Sequence, residues 1–316
     1  MQPLFSKSSF FSGLLVAGLV VGTHQLLGRL PDRVAQADTV AAVTFIPVRL
    51  ESGSDNLRIA GAWRLTSGER RLGGLSALAV DRGGLVALSD SGVVVHLPKP
   101  GGSSLAASFR DLPDGPGDPR RKSRRDSEAL VRLADGDWLV AFENRNQLWR
   151  YDNAFRAGRR VVRFVNQGWA TNRGIEAMTL DRNGGVLAIP EGHGTLVAVS
   201  DVVETQPLAS GGWTVSDAAR LADGRQLLLL RRITVTGFRN AIGELERTAA
   251  GWRVAVRADL PIGPLDNGEG LAAESLTGGG SRLWIVTDND FAGYRRTLLL
   301  AVDVLAPEPV ARRRAG

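Results

Sequence analysis

Short apolar stretches recur along this chain in pairs, and a glycine-containing turn separates the two members of each pair. Two clear examples are "ALVRLADGDWLVAF" (129–142) and "IEAMTLDRNGGVLAIP" (175–190). Both halves are rich in Val, Leu and Ile and lack the spacing typical of an amphipathic helix. The Asp-Gly and Asn-Gly-Gly sequences supply the positive φ angles that a tight reversal requires. Each pair therefore predicts a β-hairpin.

Five such hairpins can be aligned, and most of them begin and end on a carboxylate. Burying an unpaired charge is costly, so carboxylates in these positions are usually solvated, paired or bound to a metal. The first strand opens on Ser76, Glu128, Glu176, Asp217 and Glu269. The second strand closes on Asp90, Glu143, Glu191, Arg231 and Asp288.

The spacing of the hairpins predicts the architecture. Their opening positions lie about 40 to 52 residues apart, which is the repeat length of propeller blades and leaves room for about four strands each. The second strands, such as "LWIVT" (283–287), are apolar on both faces, as expected for blades packed between two others. We predict an all-β fold, a single closed β-propeller of five or six four-stranded blades. A β-sandwich or two small β domains are the alternatives.

A propeller must join its two ends, and the N-terminal strands are the candidates for this role. "AVTFIPVRL" (42–50) and "LRIAGAWRL" (57–65) precede the first complete hairpin. We expect one or both of them to pair with the last blade, whose third strand is "TLLLAVDV" (297–304). Such closure removes exposed sheet edges. The alternative is that these strands form a degenerate sixth blade.

The N-terminus differs in composition from the remainder and predicts export. Lys7, an apolar run at 10–21 and an Ala-x-Ala sequence at 35–37 are typical of a secretory signal. The run is short for a transmembrane helix, although an uncleaved anchor that attaches the protein to a membrane is an alternative. We therefore divide the chain into a signal or anchor (1–37), the propeller (38–306) and a basic tail (307–316), with a periplasmic or secreted location.

Composition excludes several kinds of chemistry. The chain has no cysteine, which excludes disulfides and thiolate-bound metals, and only 3 histidines. It contains no G-x-S-x-G, H-E-x-x-H or P-loop sequence. The formal charge of +6 comes from arginines scattered through all units, without the basic and aromatic stripe that nucleic-acid binding needs. We expect a monomer that does not bind nucleic acid.

The predicted topology brings the carboxylates together. Because the two strands of a hairpin are antiparallel, the start of the first and the end of the second meet at one mouth of the channel. We expect Glu128, Glu176, Asp217 and Glu269 to face the axis, with the closing residues bracing the mouth. Repulsion among them would be relieved by a divalent cation, for which oxygen ligands favour Ca²⁺. The alternative is that the carboxylates only bind backbone N–H groups.

Arginines accompany the same ends of the hairpins. Arg231 replaces the closing acid in the fourth hairpin, and Arg173 precedes the Gly-Ile-Glu of the third. Arg120, Arg121, Lys122, Arg124 and Arg125 precede Glu128, in a loop that could equally be a solvated surface segment. A mouth with a metal and arginines suits a small anionic or ester substrate.

The quoted segments resemble the phytase-like domain, the "esterase-like activity of phytase" family of bacterial proteins. "GGLSALAVD", "DSEAL", "NRGIEAM", "VSDAARLADGRQLLLLRR" and "DNGEGLAAE" occur in the family's order across 57–303. The resemblance implies an exported propeller, distantly similar to calcium-dependent phytases. Glu128, Glu176 and Glu269 match the family's glutamates and Asp217 its aspartate, while Arg173 stands where lysine is frequent.

Three functions fit these observations. The first is a metal-dependent hydrolase of phosphate esters or related esters, with Glu176 and Glu128 as candidate catalytic residues and Glu176 as general base. The second is a lactonase-type propeller enzyme that uses the same metal site. The third is a non-catalytic envelope module that binds a ligand or protein in its mouth. A fold alone does not choose among them.

Overall fold

The computed structural model describes residues 36–51, 57–118, 124–165, 167–169, 173–277 and 279–304. The predicted signal or anchor, apart from Gln36 and Ala37, lies outside these ranges, as does the predicted basic tail. Within them the fold is all-β, and the helical content is 3-10 only, in the turn Glu143–Arg145 and at Arg124. No helix in these ranges is long and apolar enough to cross a bilayer.

The described part of the chain contains 21 β-strands. They are β1 (Thr39–Pro47), β2 (Leu57–Ser67), β3 (Leu75–Asp81), β4 (Gly84–Ser89), β5 (Val93–Leu97), β6 (Ser104–Asp111), β7 (Ser127–Arg132), β8 (Trp138–Phe142), β9 (Gln147–Tyr151), β10 (Gly158–Arg163), β11 (Ile175–Leu180), β12 (Val186–Pro190), β13 (Thr195–Val199), β14 (Val203–Ala209), β15 (Thr214–Arg220), β16 (Gln226–Thr234), β17 (Gly237–Thr248), β18 (Gly251–Asp259), β19 (Asn267–Ser275), β20 (Ser281–Asp288) and β21 (Leu298–Val304).

The strands form antiparallel four-stranded units. Units one to four are β3–β6, β7–β10, β11–β14 and β15–β18, and unit five consists of β19, β20, β21 and β2. Each predicted hairpin supplies the first two strands of one unit. Outer strands join some units into larger sheets, because β1 pairs with both β2 and β6, and β14 pairs in parallel with β18.

The units follow one another around a ring. The first strands β3, β7, β11, β15 and β19 each contact the next, and β19 also contacts β3. The core is divided in the same way, with one hydrophobic cluster between each pair of neighbouring units. Between units three and four, for example, Leu187 and Ile189 pack with Leu228 and Leu230. This all-β, propeller-like arrangement agrees with the predicted fold class.

The N-terminal strands close the ring, as expected from the sequence. Strand β2 pairs antiparallel with β21, in a register that places Ala62 opposite Leu300. Asp303 of β21, almost fully buried, accepts hydrogen bonds from Arg282 of β20 and Arg58 of β2. These charged hydrogen bonds hold the pKa of Asp303 below its usual range, with Arg282 the larger contributor. Residues separated by most of the chain thus complete one unit.

Candidate functional site

The first strand of every unit carries a β-bulge at the same place. The register against the second strand shifts between Leu75 and Ala77 in unit one, and at the equivalent point in the other four units. A bulge inserts one unpaired residue and re-aims its side chain. The inserted residues are Ser76, Glu128, Glu176, Ser216 and Glu269.

This register corrects one predicted site residue. In unit four the bulge is formed by Ser216, while Asp217 lies one residue further along and pairs with Leu229. The fully buried Asp217 carboxylate accepts the N–H groups of Ala218 at 2.8 Å and Leu271 at 2.7 Å. Burial raises the pKa of Asp217, and these bonds, with a further one from the backbone of Leu78, act in the opposite direction. Asp217 therefore ties β15 to the adjacent first strand β19 and to β3 of unit one. Its carboxylate binds backbone N–H groups, and the charge of Glu269 contributes to its raised pKa.

The closing residues occupy equivalent positions, as the sequence alignment predicted. The N–H groups of Asp90, Glu143 and Glu191 donate to the carbonyls of Gly74, Asp126 and Gly174, respectively. In the other two units Arg231 pairs with Thr214 and Asp288 with Asn267. The five closing residues therefore lie at the same level of the ring.

Two groups of three carboxylates form at this end of units two and three. Oxygen atoms of Asp126, Glu128 and Glu143 lie within 4.8 Å of one another, and so do those of Glu143, Glu176 and Glu191. Glu143 belongs to both groups. Its side chain also hydrogen-bonds Glu176 and accepts the N–H of Gly174 at 3.3 Å.

Asp126 is a residue of this cluster that the sequence analysis missed. It stands two residues before the bulge in β7, and its carboxylate accepts a hydrogen bond from the Asn144 side chain. Gly74, Gly174, Thr214 and Asn267 occupy its place in the other units. Asp126 is the first residue of the "DSEAL" sequence. Comparison of the repeats did not identify it, because an acid stands at this position in one unit only.

Burial and mutual repulsion perturb the carboxylates strongly. Burial, followed by the charges of Asp126 and Glu191, raises the pKa of Glu143 to about 7. Burial is also the main reason why the pKa values of Glu128 and Glu176 are raised well above the usual range. The charges of Asp126 and Glu269 are the next contributors to Glu128 and Glu176, respectively. Within the described residues, no arginine or lysine forms an ion pair with Glu128, Glu143 or Glu176.

Arg231 supplies positive charge at the other end of the cluster. Its guanidinium forms ion pairs with Glu269 and, at 3.3 Å, with Glu191, and it donates to Asn267 at 3.0 Å. Burial nevertheless outweighs this attraction and raises the pKa of Glu269 to about 7. Arg231 thus joins units three, four and five, and a continuous line of charged groups runs from Asp126 to Glu269.

The remaining predicted residues lie around this line. Asp90 contributes to the potential at Glu128, and Asp288 to that at Glu269. The carboxylate of Asp288 also accepts the N–H of Asp290 at 2.7 Å. Arg173 is exposed, and its carbonyl lies 3.1 Å from Nε2 of His193.

The basic loop before Glu128 is described only in part. Arg120, Arg121 and Lys122 lie outside the described residues. The Arg125 side chain is buried and donates to the carbonyls of Leu112 and Asp114. This arginine therefore supports neighbouring backbone and does not belong to the carboxylate cluster.

Two of the five bulge positions carry no charge. Ser76 donates to the carbonyl of Ser127 at 2.6 Å, across the interface between units one and two. Ser216 is 1% exposed, and its hydroxyl has no hydrogen-bond partner among the described residues. The negative charge of the bulge residues is therefore concentrated in units two, three and five.

The family model described as "Phytase-like: Esterase-like activity of phytase" matches residues 70–291. The chain belongs to the phytase-like family. This match confirms the resemblance carried by the hairpin sequences, and it spans every hairpin that contributes to the carboxylate cluster. No curated protein matches the sequence.

Several solved structures are similar to this phytase-like chain at low sequence identity. A virginiamycin B lyase from Staphylococcus aureus is 10% identical, with 79% of this chain and 100% of the lyase covered and a TM-score of 0.44. A gluconolactonase from Xanthomonas campestris is 14% identical, with 87% and 89% covered and a TM-score of 0.45. An aldose sugar dehydrogenase from Streptomyces coelicolor is 13% identical, with 85% and 99% covered and a TM-score of 0.47.

The contrast between Asp217 and Ser216 is testable by mutation. Replacing Asp217 with Asn places an amide opposite backbone N–H groups, and we expect a loss of about 1–3 kcal/mol in the free energy of unfolding. The control Ser216→Ala removes a hydroxyl without a partner and should change stability by less than about 0.5 kcal/mol. Urea unfolding measures both. An Asp217→Asn variant that keeps its stability but loses a calcium-dependent increase in melting temperature would restore Asp217 as a ligand.

The raised carboxylate pKa values predict how stability depends on pH in excess chelator. Folded Glu143 and Glu269 hold their protons up to about pH 7, whereas the ordinary value is 4.5. The free energy of unfolding should therefore be highest near pH 4.5 and fall as pH rises through 7. Carboxylates with lowered pKa values, such as Glu69 at about 2, affect stability only at lower pH.

Thermal melts between pH 5 and 8 check this dependence. Glu143→Gln, which removes one of the titrating groups, should flatten the curve. A melting temperature of the parent that rises over this range would contradict the assignment.

Proposed function

We propose that this chain is an exported, five-bladed member of the phytase-like family that hydrolyses phosphate esters or related esters with a bound divalent cation. The observation that carries the proposal is the pair of three-carboxylate groups that share Glu143. Export rests on the sequence of residues 1–37, which favours a periplasmic or secreted location, with membrane anchorage through the N-terminus as an alternative.

The donor set fits a hard divalent ion, most consistently Ca²⁺. Calcium binds oxygen ligands at about 2.3–2.6 Å, so two ligands on opposite sides of one ion lie about 5 Å apart. The separations within each group, up to 4.8 Å, lie inside that limit. Glu143, Glu176 and Glu191 would hold the ion in one group, and Asp126 and Glu128 would join Glu143 in the other.

Energetics support the same assignment. Buried carboxylates that repel one another without an ion-pair partner are costly, and in the described part of the chain Glu128, Glu143 and Glu176 form no such pair with arginine or lysine. The raised pKa values of Glu128, Glu143 and Glu176 express that cost, because protons are retained in place of a cation. Divalent charge at this position would replace those protons, and affinity would therefore increase with pH.

Different residues would act as general base and general acid in the hydrolysis. A bound cation would polarise the ester and lower the pKa of a water molecule. Glu176 would accept the proton of the attacking water at a carboxylate oxygen, and the water oxygen would bond to the phosphorus or carbonyl carbon as the ester oxygen leaves. With the ion held by Glu143, Glu176 and Glu191, Glu128 would not be a ligand and would keep its proton, because burial raises the pKa of Glu128. Glu128 is therefore the candidate to return a proton to the leaving oxygen.

Arg231 has a separate role in this proposal. Its ion pairs fix the side chains of Glu191 and Glu269, and its positive charge would face an anionic part of the substrate. Arg173, exposed near Glu191, would act at longer range, while Asp90 and Asp288 support the rim.

Glu176→Gln tests the cation site and the chemistry together. We expect calcium to raise the melting temperature of the parent, because a ligand at a hundredfold its dissociation constant adds about 2.7 kcal/mol. The variant should lose most of this increase and at least about a hundredfold in kcat, since both a ligand and the base are removed. Glu204→Gln, at an exposed position on the outer strand of the same unit, is the matched control and should behave as the parent.

The assays should use phosphate esters, carboxyl esters and lactones, with calcium and with chelator. Activity on lactones alone would favour the lactonase-type alternative. Calcium binding without turnover of any substrate would favour the non-catalytic binding module. Ester hydrolysis that persists unchanged in chelator would contradict the metal-dependent mechanism.

A further inference from the structure

The mouth is asymmetric because unit four has a longer hairpin. Strands β4, β8 and β12 end one residue before their closing residues, and β20 ends at its closing residue. Strand β16 instead continues for three residues past Arg231 to Thr234 before the chain returns in β17. This extension rises above the level at which the carboxylates lie.

The extension turns apolar side chains toward the same side as Arg231. Ile233 is two residues beyond Arg231 in a strand whose register with β17 is unbroken there, so both side chains project from one face. Phe238 is directly opposite Ile233 and shares that face. Arg231 identifies the face as the one toward the mouth, because it contacts Glu191 and Glu269. Ile233 therefore lies about 7 Å above Arg231 along the strand.

The loop between β20 and β21 continues this apolar surface. The Arg295 guanidinium lies over the rings of Phe238, at 5.3 Å, and Tyr294, at 5.7 Å. The N–H of Phe238 donates to the carbonyl of Pro264, which places Pro264, and Leu265 after it, beside the outer end of the extension. Ile233, Leu265 and Tyr294 are 70%, 53% and 61% exposed, respectively.

Glycine packing supports the position of this loop. Phe291 covers Gly73 and Gly74, where an added Cβ at Gly74 would lie 2.4 Å from the ring. Gly74 has a φ of 57°, so a side chain would also be strained there. The loop is thus fixed against unit one at one end and against the extension at the other.

We propose that Ile233, Phe238, Leu265 and Tyr294, the apolar wall, bind the apolar part of a ligand whose polar end lies at the carboxylate cluster. This inference rests on the proposed function. It narrows the substrate class to esters whose alkyl, acyl or aryl group is large enough to contact the apolar wall. Ile233, Leu265 and Tyr294 are exposed and Phe238 is half-buried. Burying these side chains against such a group is favourable.

Paired substrates that differ only in apolar length test the proposal with the full chain in calcium. One pair is p-nitrophenyl acetate and p-nitrophenyl octanoate, and the other is methyl phosphate and octyl phosphate. We expect kcat/KM of the parent to be about tenfold or more higher for the longer member of the hydrolysed pair. Ile233→Ser should reduce this long-to-short ratio severalfold. Val256→Ser, at an exposed position on the outer strand of the same unit, should retain the parent ratio.

The outcomes separate this inference from the proposed function. A parent that hydrolyses both members of a pair equally well, or an unchanged ratio in Ile233→Ser, overturns the apolar wall and leaves the hydrolase intact. If no ester is hydrolysed, the proposed function fails. Calorimetric titration with octyl phosphate and methyl phosphate then tests whether the apolar wall binds an alkyl chain. Tighter binding of octyl phosphate that Ile233→Ser removes supports it, and equal binding of the two compounds overturns it.

Discussion

The β-bulge repeated in the five first strands is the constraint on which the site depends. A regular hairpin would keep each opening residue within the ladder, with its side chain alternating between neighbouring units. The bulge releases one residue per unit from that alternation. In units two, three and five this residue is a glutamate, and the equivalent hairpin ends bring Glu143 and Glu191 to the same level. Carboxylates that are distant in sequence thus become neighbours with few basic partners.

Unit four differs from the other units in the residues at its bulge and at its hairpin end. Its bulge carries a serine, its closing residue is Arg231, and its second strand extends past the rim. Asp217, one residue past the bulge, uses its carboxylate to bind backbone N–H groups of adjacent first strands. The same unit therefore supplies the positive charge at the mouth and an internal tie between first strands, together with two side chains of the proposed apolar wall, Ile233 and Phe238. Functional asymmetry arises in a ring whose units share one backbone plan.

Much of the fold could be read from the sequence, because hairpins have strong local signals. Apolar stretches around Asp-Gly and Gly-Gly turns identified the first two strands of each unit. The need to close the ring predicted that one or both N-terminal strands pair with the last blade, and the structure shows that β2 does so. The acids at the hairpin ends were also found correctly in units two, three and five. The family resemblance rested on these same segments, and the family match confirms it.

The sequence did not determine the strand register at the bulge. It also did not identify site residues that are present in one unit only. Aligning "VSDAARL" by its acid chose Asp217, although the inserted residue is Ser216. The strand is buried on both faces, so its hydrophobic pattern does not reveal a one-residue shift, which reverses the face of every side chain. Asp126 was missed because it has no counterpart in the other units. The extension of β16 was not predicted, and only its pairing with β17 shows which side chains face the mouth.

Calorimetric titration of the full chain with calcium at neutral pH tests the central claim most directly, with Glu143→Gln as the decisive variant. Glu143 is shared by both carboxylate groups, so its loss affects either position of the ion. The account predicts saturable binding by the parent and an affinity at least about tenfold weaker in the variant, equivalent to about 1.4 kcal/mol. Absence of binding by the folded parent, or equal affinity in a folded Glu143→Gln variant, would contradict it.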